Sequence, residues 1–83
     1  MKEMATAGGT DVAEQEIILA VNGAERRIPD GWTLEDLLAS LGLDARTVVI
    51  EHNGTILRDR SSFASLPLSA QDSLEIVHFV GGG

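Results

Sequence analysis

Eighty-three residues with thirteen acidic and six basic side chains, a net charge of −7 and no cysteine describe one small acidic domain. The missing cysteines exclude disulfides and cysteine-based zinc sites, and the charge argues against a nucleic-acid backbone or an anionic membrane as partner. A hydrophobic share of 43% supports a compact core but leaves little room for a deep catalytic cleft, so a self-contained enzyme is not expected.

Residues 1–15 are small and polar, follow neither the helical nor the strand period, and read as a disordered leader lacking the apolar centre of a signal peptide. The longest wholly apolar run, residues 17–21, is far too short to span a bilayer, and the cytoplasm is the expected location. The folded domain is expected over residues 16–80. Its first strand is residues 16–21; Asn22-Gly23 is a strong hairpin turn signal, Glu25 to Ile28 supply the return strand, and Pro29-Asp30-Gly31 breaks the pairing.

Leu34, Leu37, Leu38 and Leu41 then fall at i, i+3, i+4 and i+7, the pattern of a helix with one apolar face. Thr33 is its N-cap, Asp36 takes the reciprocal capping position, Trp32 staples onto Leu37, and Gly42 ends the helix. Residues 47–51 form a third strand, Asn53-Gly54 a second turn, and residues 55–57 a short strand. Residues 58–70 are irregular, with Phe63, Leu66 and Leu68 placed to tuck a turn against the core. The last strand covers residues 72–80 and runs directly into Gly81, Gly82 and Gly83.

This order predicts an α+β fold, a mixed sheet of about four or five strands with one main helix packed across it, the layout called a β-grasp. In the last strand Leu74, Ile76 and His78 share one face, and Glu75, Val77 and Phe79 the other. With Leu74 and Ile76 turned to the helix, Val77 and Phe79 stand on the open face as a candidate docking surface, to which Arg58 adds a charge. Glycine has no Cβ, so the tail of residues 81–83 suits a channel too narrow for side chains. Three extended residues reach roughly 10 Å.

No side-chain chemistry competes with this. His52 and His78 have no metal-ligand spacing and read as a strand-end residue and a partly covered strand residue. Asp59, Ser61 and Ser62 lack a nucleophile-elbow pattern, and Gly8-Gly9 has no strand before it or helix after it, as a phosphate loop requires. No catalytic or metal-binding residue is expected.

The capped stretch from Thr33 to Leu38, the run from Val49 to Arg58, the run from Asp72 to Val77 and the glycine ending together resemble the ThiS family of ubiquitin-like β-grasp sulfur carriers in thiamin (thiazole) biosynthesis. The resemblance spans about residues 16–83. It implies that an E1-like, ThiF-type adenylyltransferase consumes MgATP to convert the Gly83 carboxylate into an acyl adenylate, that a sulfur donor then yields a thiocarboxylate, and that a ThiG-type thiazole synthase receives the sulfur. No cofactor is bound by the carrier itself. A terminal carboxylate of pKa about 3.3–3.7 is ionised and unreactive at neutral pH until its oxygen becomes a leaving group, which accounts for the adenylation step. The resemblance assigns the chemistry to Gly83 and channel threading to Gly82. The wider family commonly ends in two glycines, so Gly81 is an added spacer.

Fold and tail equally suit a carrier for molybdopterin or cysteine-type sulfur transfer. A ubiquitin-like modifier is a further alternative, although Lys2, in the leader, is the sole lysine and precludes lysine-linked chains from the body. An interaction module with an inert tail is the last.

Overall fold

The computed structural model describes residues 15–78; residues 1–14 and 79–83, which hold most of the expected leader and the glycine tail, lie outside the described residues. Strand β1 (Glu16–Val21) pairs antiparallel with β2 (Ala24–Pro29) through a turn in which Asn22 and Gly23 have φ of 53° and 83°. Two consecutive left-handed residues give the turn a twist that matches the strands, which is why the Asn-Gly signal is reliable. The strand runs through Pro29, which pairs with Glu16, rather than breaking before it. β2 is the outer strand, so a residue without an N–H can sit there with that position turned outward.

Helix α1 (Leu34–Ser40) begins with a complete capping box: Thr33 Oγ1 accepts the Asp36 N–H at 3.3 Å, and Asp36 Oδ2 accepts the Thr33 N–H at 2.9 Å. Its end is equally specified. Gly42 adopts φ +73° while its N–H bonds to Ala39 O at 3.1 Å and the Leu43 N–H to Leu38 O at 2.9 Å, a double closure of the last turn. Gly42→Ala forces a side chain into the left-handed region and should cost about 1–2 kcal/mol, read as a lowered urea midpoint with unchanged slope.

A short 3₁₀ turn, Ala45–Thr47, precedes β3 (Val48–His52), where the sequence pattern suggested a strand already at Thr47. The Asp44 side chain caps that turn by accepting the Arg46 N–H at 2.9 Å, and a cap of this kind leaves no hydrophobic period. Asn53 and Gly54, with φ of 50° and 89°, turn β3 into β4 (Thr55–Leu57). A second 3₁₀ segment, Arg60–Ser65, carries Phe63 into the core, followed by buried Leu68 and half-buried Leu66. Strand β5 (Ser73–His78) completes the sheet.

The sheet order is β2-β1-β5-β3-β4. β5 lies at its centre, parallel to β1 and antiparallel to β3. Leu34, Leu37 and Leu38 of α1 cover Leu19, Val21, Ile28, Val48, Ile50, Leu74 and Ile76, with Trp32 and Leu41 half-buried at the margin. This is the mixed sheet and single main helix of a β-grasp. Both outer strands are protected against edge-to-edge association: β2 by Glu25, Arg26, Arg27 and Pro29, β4 by having only three residues.

One alternation-based expectation needs correcting. His78 shares a face with Leu74 and Ile76 but is exposed, not partly covered, because the sheet outruns the helix there and a cleft opens between Leu41 and Leu43 on one side and Ile76 and His78 on the other. Among the described residues no helix is long and apolar enough to cross a membrane.

Candidate functional site: the open sheet face and the end of β5

His78, the last described residue, stands in the central strand of the sheet. On the face away from α1, Val77 lies directly opposite Val49 of β3 and is 60% exposed. Ile56 of β4, opposite Glu51, is 48% exposed. Val77 and Val49 form one row of this face, and Ile56 stands in the next row beside Glu51, which faces Glu75.

Arg58 belongs to the same face. It lines a shallow cleft of about 180 Å³ with Val49, Ile56, Leu57 and Arg60. The two arginines differ in role: Arg60 Nε and Nη2 donate to Ala45 O at 2.9 Å and Val48 O at 3.1 Å, tying the 3₁₀ segment to the start of β3. Arg58 is exposed and makes no hydrogen bond or ion pair among the described residues. The structure therefore joins Val77 and Arg58 around Val49, a residue that the sequence pattern did not single out. Phe79, Gly81, Gly82 and Gly83 lie outside the described residues.

Two polar devices hold β5 in place. At its start, buried Asp72 accepts from the Ser69 N–H at 2.9 Å, Asn53 Nδ2 at 3.1 Å and His52 Nε2 at 3.0 Å; a carboxylate is acceptor-only, which puts the shared proton on the histidine nitrogen. Asn53 also exchanges bonds with Ser73, its N–H to Ser73 O and its Oδ1 from the Ser73 N–H, both at 2.8 Å. Further along, the Asn22 amide bridges both main-chain groups of Ile76.

Burial raises the Asp72 pKa, but the hydrogen bonds from Asn53, His52 and Ser69 outweigh it and hold the carboxyl below its ordinary value. A carboxyl depressed in the folded state stabilises above its unfolded pKa of about 3.9, and that contribution is lost as pH falls through the folded value. Asp72→Asn should thus cost about 1–3 kcal/mol at pH 7. Acid titration of unfolding should show the gap to the parent chain closing below about pH 3.9.

The family model for the ThiS family matches residues 13–83. The chain belongs to the ThiS family. It is 39% identical over 67 residues to the sulfur carrier protein ThiS of Bacillus subtilis, covering 80% of this chain and 100% of that relative. The crystal structure of a thiamine biosynthesis protein, ThiS, from Geobacter metallireducens superposes with a TM-score of 0.67 at 30% identity, covering 81% of this chain and 100% of that one. A thiazole synthase of Paramagnetospirillum magneticum is 45% identical over 65 residues, 78% of this chain but 20% of that enzyme. This ThiS-family chain thus spans about a fifth of the length of such synthases.

Membership gives the open face and the end of β5 their relevance, since the family match continues through the glycines. The Asp72, Asn53 and His52 cluster escaped the sequence reading. The one available signal was Asn53 in a turn position, where asparagine tolerates the left-handed backbone and can bond to neighbouring main chain.

Proposed function

We propose that this chain is the sulfur carrier of thiamine biosynthesis, a non-enzymatic co-substrate working in the cytoplasm whose reactive group is the carboxylate of Gly83. The observation that carries this is the match to the whole of the Bacillus carrier, within a family match that reaches residue 83.

A carboxylate oxygen of Gly83 attacks the α-phosphorus of MgATP held by a ThiF-type adenylyltransferase, and pyrophosphate leaves. Hydrosulfide released by the donor then attacks the acyl carbon, the C–O bond to AMP breaks and AMP departs with its oxygen, and loss of the sulfur-bound proton leaves the thiocarboxylate. A ThiG-type thiazole synthase takes the sulfur. The enzymes of Paramagnetospirillum and Magnetococcus marinus named thiazole synthase each contain a segment similar to this chain, which supports that pairing.

The body's part is recognition. Val77, Val49 and Ile56 offer aliphatic surface, and Arg58 offers a cation without a partner among the described residues. Glu51 opposite Glu75 is a like-charge pair that a basic side chain of the enzyme would relieve. Gly81 and Gly82 supply thin backbone for a narrow channel.

The test is intact-mass and C-terminal peptide analysis after incubation with the adenylyltransferase, MgATP and a sulfur source. Replacement of one oxygen by sulfur on Gly83 is expected; an unchanged mass sinks the assignment. In the same assay Val77→Asp should raise KM for the carrier about tenfold with kcat held, as for loss of an interface anchor worth about 1.4 kcal/mol. Its circular dichroism should match the parent, because the substituted side chain is exposed.

A further inference from the structure

Among the described residues the ladder between β1 and β5 ends with its next position open. Ala20 N–H bonds to Asp72 O at 2.9 Å and Asn22 N–H to Leu74 O at 2.8 Å, after which the main chain turns away at Asn22. The Asn22 side chain makes the next rung, Oδ1 accepting the Ile76 N–H at 2.7 Å and Nδ2 donating to Ile76 O at 3.3 Å. Main-chain groups of a strand alternate sides, so the N–H and C=O of His78 point the same way as those of Leu74 and Ile76. Neither has a partner among the described residues. The opposite side of β5 is served by β3, with Ser73 exchanging bonds with Asn53 and Val77 paired with Val49.

A cleft of about 480 Å³ lies beside this vacant rung, between the sheet and the end of α1. Val21, Leu41, Leu43 and Ile76 give it apolar lining; among the described residues its ionisable lining is Arg26 and His78, with no carboxylate. Arg26 stands opposite Leu19 on the helix side of the sheet and has no ion-pair partner among the described residues. In a chain of net charge −7, this is a local site for an acidic group.

We infer that the cleft receives an extended segment of a partner protein, in which aliphatic side chains alternate with carboxylates, adding a strand to the free edge of β5 at His78. An extended segment satisfies the vacant main-chain groups, which a docked helix does not. Its aliphatic side chains enter between Leu41, Leu43 and Ile76, and a carboxylate meets Arg26. A strand laid there lies against His78, five residues before the proposed reactive carboxylate of Gly83. The surface is distinct from the Val77 face, and the two together place β5 in a grip from both sides of the sheet.

The proposal rests on the sulfur-carrier reading in naming the adenylyltransferase as the probe. Amide hydrogen exchange should slow at least about tenfold at His78 in the complex with that enzyme, the mark of a main-chain bond formed on binding. Arg26→Glu should raise KM for the carrier about tenfold with kcat and unfolding midpoint unchanged, and Arg26→Lys should restore most of the affinity. Normal adenylation of the parent chain with unaltered His78 exchange and an unaltered KM for Arg26→Glu overturns the docking inference alone. Absence of adenylation in the parent chain overturns the carrier reading and this inference with it.

Discussion

Deletion of Gly82 and Gly83 should abolish thiocarboxylate formation and leave the folded body intact. The two effects separate because they depend on different atoms. The hydrophobic core is assembled from residues between Ile17 and Ile76, and β5 is anchored by Asn22 and by the Asp72 cluster well before the tail. Removing two residues beyond these contacts should change unfolding free energy by no more than about 0.5 kcal/mol. Turnover as proposed, in contrast, requires a terminal carboxylate delivered to ATP, and a chain ending at Gly81 would fall short by roughly 7 Å of extended backbone. That is far more than the about 1 Å misplacement that already costs a reaction some hundredfold. Mass analysis should therefore detect no sulfur-bearing product, while the thermal unfolding curve overlays that of the parent. Appending one alanine after Gly83 gives the complementary result, because the carboxylate is then on the wrong residue. Thiocarboxylate on the shortened chain would show that the exact terminus does not matter and would remove the basis for assigning the chemistry to Gly83.

The parts of this fold that could be read in advance are those written in neighbouring residues. Asn22-Gly23 and Asn53-Gly54 specify their turns through left-handed backbone, and Thr33, Asp36 and Gly42 fix both ends of α1 through bonds spanning three to five residues. Ala45–Thr47 and Arg60–Ser65 are set by side-chain caps from Asp44 and Asp59, which produce no periodicity. The Asp72 cluster joins residues 19 and 20 positions apart and exists only because β5 inserts between β1 and β3. That insertion also brings Val49 beside Val77, so the exposed apolar face was visible one strand at a time but its extent was not. Alternation correctly put Val77 outside, yet it misplaced His78, since it assigns a face without saying how far the helix extends over it.

The same two central strands supply the most damaging change to the fold. Ile50 is fully buried, pairs with Ile76 of β5 on one side and Leu57 of β4 on the other, and belongs to the core cluster of the three α1 leucines. Ile50→Ala should cost about 3–4 kcal/mol, the lost transfer free energy of the side chain plus a cavity that two fixed strands cannot collapse to fill. A domain this small has a total stability near the lower end of about 5–15 kcal/mol, so most of its margin disappears. Val77→Ala, on the exposed side of the adjacent central strand, should cost less than about 0.5 kcal/mol. Urea unfolding of the two variants checks both numbers at once. The functional consequences should run in the opposite order at low temperature. Ile50→Ala should have a normal KM per folded molecule where the folded state still dominates, and Val77→Ala a raised one, because the first side chain serves the body and the second is the one proposed to meet the partner. If Ile50→Ala retained full stability, the helix could not be bearing on the sheet at this point, and the anchoring of β5 from which the tail departs would need another source.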